Sequence, residues 1–147
     1  MKQDITTQLA ALFPVQKIKF RVGARTRDKQ KGQALAYIDS RTVSERLDEV
    51  LGFSGWESNL IPLYDNGILK GFTCELSIWD GDRKVTRSDI GLISDENGMT
   101  SKVNAMKGAA SDALKRAAIH FGVGRYIYNI DSVWVPLKNE RYFAQVP

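Results

Sequence analysis

The 147-residue sequence has one cysteine, one histidine and four prolines, and none of its apolar runs approaches the roughly 18 residues that cross a bilayer. The single cysteine, Cys74, excludes an internal disulfide and predicts a reducing, cytoplasmic setting. The opening stretch MKQDITTQLAALFPV lacks the apolar core and cleavage site of a signal peptide. Hydrophobic content of 43% and charged content of 26% are ordinary for a globular chain, so residues 1–147 are expected to form a single domain.

The sequence also lacks the usual signatures of an enzyme. His120 reads as a surface or packing residue, and no serine or cysteine has a recognisable nucleophile setting. There is no G-x-x-x-x-G-K phosphate loop, and the GVG at 122–124 follows a helix pattern instead of preceding one. A metal-dependent nuclease would need clustered carboxylates, ideally with a lysine just after a strand glutamate, and Glu75 has none there. We therefore assign no catalytic residue and no metal ligand; a nuclease remains the weakest alternative, with the candidates Asp80, Asp82, Asp89 and Glu96.

Positive charge is concentrated in two segments of the chain. The net charge is +4, yet between Lys17 and Lys31 seven Lys/Arg face only Asp28, a local charge of +6 that leaves −2 for the rest. A second segment, from Lys102 to Arg125, carries +4. Clustered cations of this kind are typical of proteins that bind nucleic acid. The alternatives are a solvated basic loop, a loop that docks an acidic partner, and cations that only stabilise a helix C-terminus.

Periodicity and turn signals predict an α+β chain. Short helices are expected over 4–13 and over about 40–51, the second capped by Asp39 or Ser40 and stopped by Gly52, with extended pieces and the basic loop over 18–38 between them. The pairs Asn66-Gly67 and Asp80-Gly81 predict the two turns of a three-stranded antiparallel meander whose last strand covers about 83–92. Pro62 predicts that the first of these strands lies at an edge or starts late.

A long helix is expected after a polar loop over 93–101, with Gly122 as its C-cap. Its apolar stripe is Val103, Met106, Ala110, Ala113/Leu114, Ala117 and Phe121. If this stripe faces inward, Lys115 projects from the other side of the helix and Arg116 flanks the buried face. Aromatic residues accompany both basic segments, and base stacking on such rings contributes about 1–3 kcal/mol per base. Cations with stacking rings are typical of proteins that bind single-stranded nucleic acid; the rings in question are Phe20, Tyr37, Tyr126 and Tyr128.

Two separated blocks of the sequence carry a resemblance to a known family. They are RVGAR…KGQALAYIDSRTVSERLDEVLGFSGW and KGAASDALKRAAIHFGVGRYIYN. Together they resemble the Rad-fifty-two/Rad-twenty-two superfamily of single-strand annealing proteins, in its bacterial and phage branch, over roughly residues 14–137. The resemblance implies an α+β fold in which a three-stranded antiparallel meander followed by a long helix forms a β-β-β-α core, preceded by short helices, and assembles into a ring.

The resemblance also implies a function and its residues. The implied activity is ATP- and metal-independent annealing of complementary strands in homologous recombination and double-strand break repair, with no cofactor and with single-stranded DNA held by its backbone in a basic groove. The resemblance also allows recombination or replication proteins as further partners. Lys115 and Arg116 match the basic pair of the family's long helix, Tyr37 matches the tyrosine of its Y-I-[DE] block, and Arg25 or Arg27 matches a groove arginine.

One departure from the family pattern concerns the charge of the groove. Eukaryotic members place a third cation where this chain has Ile119, so Arg125 or the loop lysines are expected to compensate. We expect the two basic segments to converge through subunit assembly. The expected DNA-binding residues are Lys115, Arg116, Arg25, Arg27, Tyr37, Lys29, Lys31, Lys107 and Arg125.

Overall fold

The chain divides into two compact units. The computed structural model describes residues 4–94, 102–140 and 142–144. The meander unit comprises the described residues within Met1–Ala11 and Asp39–Arg125, and the four-strand unit comprises those within Leu12–Ile38 and Tyr126–Pro147. The single domain expected from the sequence stays a prediction. No helix in the described ranges is both long and apolar enough to span a membrane.

The described elements follow the predicted α+β order and add two strands near the C-terminus. The helices are α1 (Ile5–Leu9), α2 (Ser40–Leu51) and α3 (Lys102–Ile119), with short 3-10 segments at Val15–Lys17 and Arg125–Asn129. The strands are β1 (Lys19–Arg25), β2 (Lys31–Tyr37), β3 (Trp56–Asp65), β4 (Ile68–Asp80), β5 (Arg83–Leu92), β6 (Val133–Lys138) and β7 (Tyr142–Phe143).

The antiparallel meander predicted from the sequence is confirmed, with the strand order β3-β4-β5. Asn66 and Gly67 have φ of 51° and 77°, the left-handed values that a two-residue hairpin turn requires. Gly81 supplies a φ of 63° at the second turn. Pro62 lies in β3 at an edge of this sheet, where a residue without a backbone N–H is tolerated.

The core of the meander unit lies between the sheet and α3, which packs on β4 and β5. Cys74, Leu76 and Ile78 of β4 are buried, as predicted, but Ser77 between them is buried as well, where its hydroxyl lies 2.7 Å from that of Thr86. Burial raises the pKa of the Cys74 thiol to about 11, so this side chain is a small apolar core residue.

Helix α3 approaches β5 so closely that the two backbones touch at Gly91. A Cβ added to Gly91 would overlap the carbonyl oxygen of Ala109 and would lie 2.7 Å from the amide nitrogen of Ala113. The helix presents only methyl groups along this line, since Ala109, Ala113 and Ala117 are all buried. The small residues therefore set the distance between helix and sheet.

The buried face of α3 differs from the predicted stripe. Ala109 and Ala118 are buried, whereas Val103, assigned to the stripe, is 60% exposed. Ala109 faces inward because the helix backbone lies against Gly91 of β5 at this point, where only a small side chain fits. The helix ends at Ile119, and Gly122, with φ of 94°, follows in a turn where a Cβ would be 3.2 Å from the Ala10 side chain.

Helix α2 fixes α1 through a buried arginine. The predicted N-cap Asp39 accepts a hydrogen bond from the amide of Thr42 at 2.8 Å, and Gly52 ends the helix with φ of 76°. Arg46 is 8% exposed, and its Nη1 donates to the carbonyl oxygens of Leu9 and Ala11 at 3.0 and 2.7 Å. These carbonyls at the end of α1 would otherwise lack partners, so the guanidinium satisfies them and is itself neutralised in part.

The four-strand unit is an antiparallel sheet with the order β1-β2-β6-β7. The extended pieces expected over 18–38 form the β1–β2 hairpin, whereas β6 and β7 were not predicted. A bulge interrupts the β1–β2 pairing between Val22 and Arg25. At Gly32 the Val22 and Leu137 side chains approach so closely that a Cβ would lie 2.8 and 2.9 Å from them.

Replacing Gly91 by alanine should destabilise the meander unit. The added methyl group has to push the α3 backbone away from β5, and overpacking of this kind lowers the free energy of unfolding by about 2 kcal/mol or more. Urea denaturation followed by circular dichroism measures this loss.

Gly108→Ala is the matched control, because it adds the same methyl group to α3 where nothing lies within 4 Å. Alanine is favoured over glycine in a helix interior, so the control should raise the free energy of unfolding by about 0.5–1 kcal/mol. Equal effects of the two substitutions would show that the helix–strand contact is not a constraint.

Candidate nucleic-acid interface

The basic pair Lys115–Arg116 lies near the C-terminal end of α3 and is accompanied by one acid. Arg116 Nε donates to Asp112 Oδ2 at 2.8 Å, an i,i+4 ion pair whose side chains are 50% and 37% exposed. Exposed pairs of this type contribute about 0–1 kcal/mol, so a phosphate can displace the carboxylate. The Asp112–Arg116 spacing could have been read from the sequence as a helical ion pair.

The exposures of the basic pair are the reverse of the prediction. Lys115 is half-buried and Arg116 is exposed. Ala118 is buried and lies one helical turn after Lys115, so the side of the helix that carries Lys115 partly faces the core. Arg116 is therefore the more accessible cation of the two.

Strand β5 holds the end of α3 by two contacts beyond Gly91. Arg87, Asp89 and Gly91 are every second residue of β5 and share the face of the sheet that α3 covers. This follows because they pair with Leu76, Cys74 and Phe72 of β4. The Arg87 guanidinium stacks over the Phe121 ring, 6.0 Å from its centroid. The Asp89 carboxylate lies 2.9 Å from His120 Nε2.

Asp89 is held in its charged form. Partial desolvation raises its pKa, but the backbone hydrogen bond from Ile90, the His120 contact and the charge of Arg116 outweigh it and leave the pKa below its ordinary value. Asp89 therefore adds a second negative charge to the surroundings of Arg116. His120, expected to be a surface or packing residue, is exposed and joins helix to sheet through this contact.

Arg125 and Lys107, two further predicted residues of this unit, do not join the basic pair on one helical face. The Nε and Nη2 atoms of Arg125 donate to the carbonyl oxygen of Ile119 at 3.1 and 2.8 Å, so this side chain caps the end of α3. Lys107 is exposed but lies two turns before Lys115, a rise of about 12 Å with a rotation of about 80°.

The other predicted cations lie on the β1–β2 hairpin of the four-strand unit. Its turn is fixed by Thr26, whose amide donates to the Lys31 carbonyl at 2.9 Å, and by Asp28, which accepts from Thr26 Oγ1 at 2.7 Å and from the Gln30 amide at 3.0 Å. The Thr26 hydroxyl and the Gln30 amide lower the pKa of Asp28. The acid is thus engaged in the turn, and the hairpin presents the exposed cations Arg25, Arg27, Lys29 and Lys31.

The bulge in β1 separates Arg25 from its neighbours. Arg25 pairs with Gly32 and so lies on the opposite face of the hairpin from Lys31, and its Nε donates to the Glu140 carbonyl at 3.0 Å. Tyr37 at the end of β2 is half-buried and pairs with Lys19. The structure thus gathers Arg27, Lys29 and Lys31 around one turn, places Arg25 beside that turn on the opposite face, and leaves Tyr37 at the far end of β2.

The carboxylates considered for a nuclease lie apart in the fold. Asp80 and Asp82 belong to the β4–β5 turn region, whereas Asp89 is engaged with His120. Glu96 lies outside the described residues, as does most of the loop expected over 93–101. Within 4–94, 102–140 and 142–144, no three His, Cys, Asp or Glu side chains are placed to share a metal ion.

Comparison with known proteins gives a consistent result over nearly the whole chain. A family model described as Rad52/22 family double-strand break repair protein matches residues 2–145. The chain is 35% identical to the single-stranded DNA-binding protein DdrA of Deinococcus deserti over 133 residues, which are 90% of the chain and 60% of that protein. It is 32% identical to the DdrA of Deinococcus radiodurans over 139 residues, 94% of the chain and 61% of that protein. The chain thus spans about three fifths of the length of these relatives.

Proposed function

Because the chain belongs to the Rad52/22 family of double-strand break repair proteins, we propose that it binds single-stranded DNA and anneals complementary strands in recombination and repair. The names of its deinococcal relatives, which are single-stranded DNA-binding proteins, support the choice of ligand. The proposed setting is the cytoplasm of a bacterial or phage-infected cell. The proposed action is binding without catalysis, and it needs neither ATP nor a metal.

The observation that carries the proposal is the basic pair on α3 with its exchangeable acid. Arg116 is exposed and is held by an Asp112 carboxylate that water also reaches. A phosphate offers the guanidinium the same geometry with a second charge-assisted hydrogen bond and releases condensed counterions as it binds. Phosphate contacts of this kind carry no sequence information, so any strand can be held.

Each unit contributes phosphate contacts of its own in this proposal. On the meander unit they come from Lys115 and Arg116, with Lys107 and Arg125 at its margin. On the four-strand unit they come from the β1–β2 turn with Arg27, Lys29 and Lys31, supplemented by Arg25 and Tyr37. A strand bound through its backbone keeps its base edges available for pairing.

Annealing follows from charge neutralisation and assembly. Two strands whose phosphates are neutralised lose most of their mutual repulsion, so they can sample registers quickly. We propose that subunits assemble into a ring, since each subunit's few contacts then join into a continuous track whose avidity exceeds that of one site. Residues 1–147 act as one DNA-binding and oligomerisation domain in this proposal, and recombination or replication proteins are its further partners.

The variant Lys115→Ala with Arg116→Ala should weaken single-strand binding about tenfold or more, because it removes two charge-assisted phosphate contacts and the counterion release that accompanies them. Fluorescence anisotropy with a labelled oligo-dT strand measures the affinity. Circular dichroism and light scattering confirm that fold and assembly size are retained.

The matched control is Lys70→Ala with Arg83→Ala, which removes the same two residue types from exposed positions on β4 and β5 of the same unit. This control should bind oligo-dT within about twofold of the wild type if local contacts, and not the net charge of the protein, determine the affinity. Normal binding by the α3 variant would mean that its cations only stabilise the helix end. A preference for an acidic protein over DNA in the same assay would favour a docking module.

Removing the competing acid should have the opposite effect. Asp112→Asn releases Arg116 from its ion pair and deletes a charge that repels phosphate, so the affinity for oligo-dT should rise by about threefold to tenfold. Asp82→Asn, the same exchange in the β4–β5 turn, is the control and should leave the affinity unchanged. A loss of affinity in Asp112→Asn would contradict the exchange of carboxylate for phosphate.

A further inference from the structure

The strand register places two sets of side chains on opposite faces of the four-strand sheet. Directly paired residues share a face, and the face alternates along each strand. The more buried face carries Val22, Ala34 and Leu137 around Gly32. The opposite face, here called the basic-aromatic face, is built from every second residue of the four strands: Lys19, Arg21, Lys31, Gln33, Leu35, Tyr37, Trp134, Pro136, Lys138 and Tyr142.

The charge of this face is of one sign. Four of its residues are cations at exposed positions, one or two on each of three strands: Lys19, Arg21, Lys31 and Lys138. None of the described residues that the register places on this face carries a carboxylate. The acids nearest to these residues in the sequence, Asp28, Asp39, Asp131 and Glu140, all lie outside the four strands.

Two large aromatic rings lie open among these cations. Trp134 is 50% exposed and Tyr142 is 67% exposed, and each has a partner on the neighbouring strand, Gln33 and Lys138 respectively. Lys138 lies directly opposite Tyr142, a separation of about 5 Å between Cβ atoms, and about 13 Å along β6 from Trp134. Open rings beside cations offer apolar area that a stacked base can cover.

We propose that the basic-aromatic face is a base-stacking surface for single-stranded DNA, with Trp134 and Tyr142 as the stacking rings and Lys31 and Lys138 as the adjacent phosphate contacts. The inference rests on the proposed function and deepens it, because it assigns base contacts to strands β6 and β7. Single strands present a phosphate charge and a flat apolar ring in every nucleotide, which is the complement of this alternation of cations and rings. An acidic protein would satisfy the cations but would have no particular use for the two rings.

The test separates base contacts from phosphate contacts. Anisotropy is measured with oligo-dT and with an abasic oligonucleotide of equal length, which keeps the phosphates and lacks the bases. The wild type should bind the abasic strand about tenfold more weakly or worse. Trp134→Ala and Tyr142→Ala should each weaken oligo-dT binding about fivefold or more and leave abasic binding unchanged. Tyr64→Ala is the control, since Tyr64 on β3 is 65% exposed and should not matter.

A conservative variant covers the case in which an alanine variant fails to fold. Trp134→Phe retains a stacking ring and should bind oligo-dT within about twofold of the wild type. It should also lose most of the quenching of tryptophan fluorescence that DNA causes, because the Trp56 indole is hydrogen-bonded to Asp48 of α2 and Trp79 lies on the face of the meander sheet away from α3.

The outcomes distinguish the inference from the function on which it rests. Unchanged quenching in Trp134→Phe, or equal binding of the two oligonucleotides by the wild type, would overturn the stacking surface while DNA binding stands. Binding of neither oligonucleotide by the wild type would overturn both.

Discussion

The meander unit depends on the contact between Gly91 of β5 and the backbone of α3. Because a Cβ at this position would overlap the Ala109 carbonyl, the helix can lie on the sheet only along a line of methyl groups. That line fixes the rotation of α3, and with it the outward position of Arg116 and the half-buried position of Lys115. Asp89 and Arg87, two and four residues before Gly91 on the same strand, then secure the end of the helix through His120 and Phe121.

The acids beside the proposed phosphate contacts are either weakly paired with them or engaged elsewhere, which suits a protein that must release what it binds. Arg116 shares an exposed ion pair with Asp112, and the only acid within the β1–β2 turn, Asp28, is engaged by hydrogen bonds that shape the turn. Exposed pairs are weak, so exchange of a carboxylate for a phosphate changes the free energy little in either direction. Strands held in this way remain able to shift register, which annealing requires.

Turn chemistry and strand alternation were enough to predict the meander, because Asn66-Gly67 and Asp80-Gly81 specify hairpins locally. The buried face of α3 was harder, since alanines occupy several sides of the helix and only the close approach at Gly91 decides between them. Strands β6 and β7 were missed because each is short, and Pro136 weakens the strand pattern of β6. The basic-aromatic face depends on pairing between residues about 100 positions apart, such as Gln33 and Trp134, which no local pattern encodes.

The central claim is that this chain holds single strands through their phosphates, and the salt dependence of binding measures it most directly. The logarithm of the association constant for oligo-dT, plotted against the logarithm of salt concentration, should fall with a slope of about −3, as expected if about four of the proposed cations of each subunit contact phosphates at the same time. A duplex of equal length should bind more weakly throughout. A slope close to zero, or equal affinity for the duplex, would contradict the account.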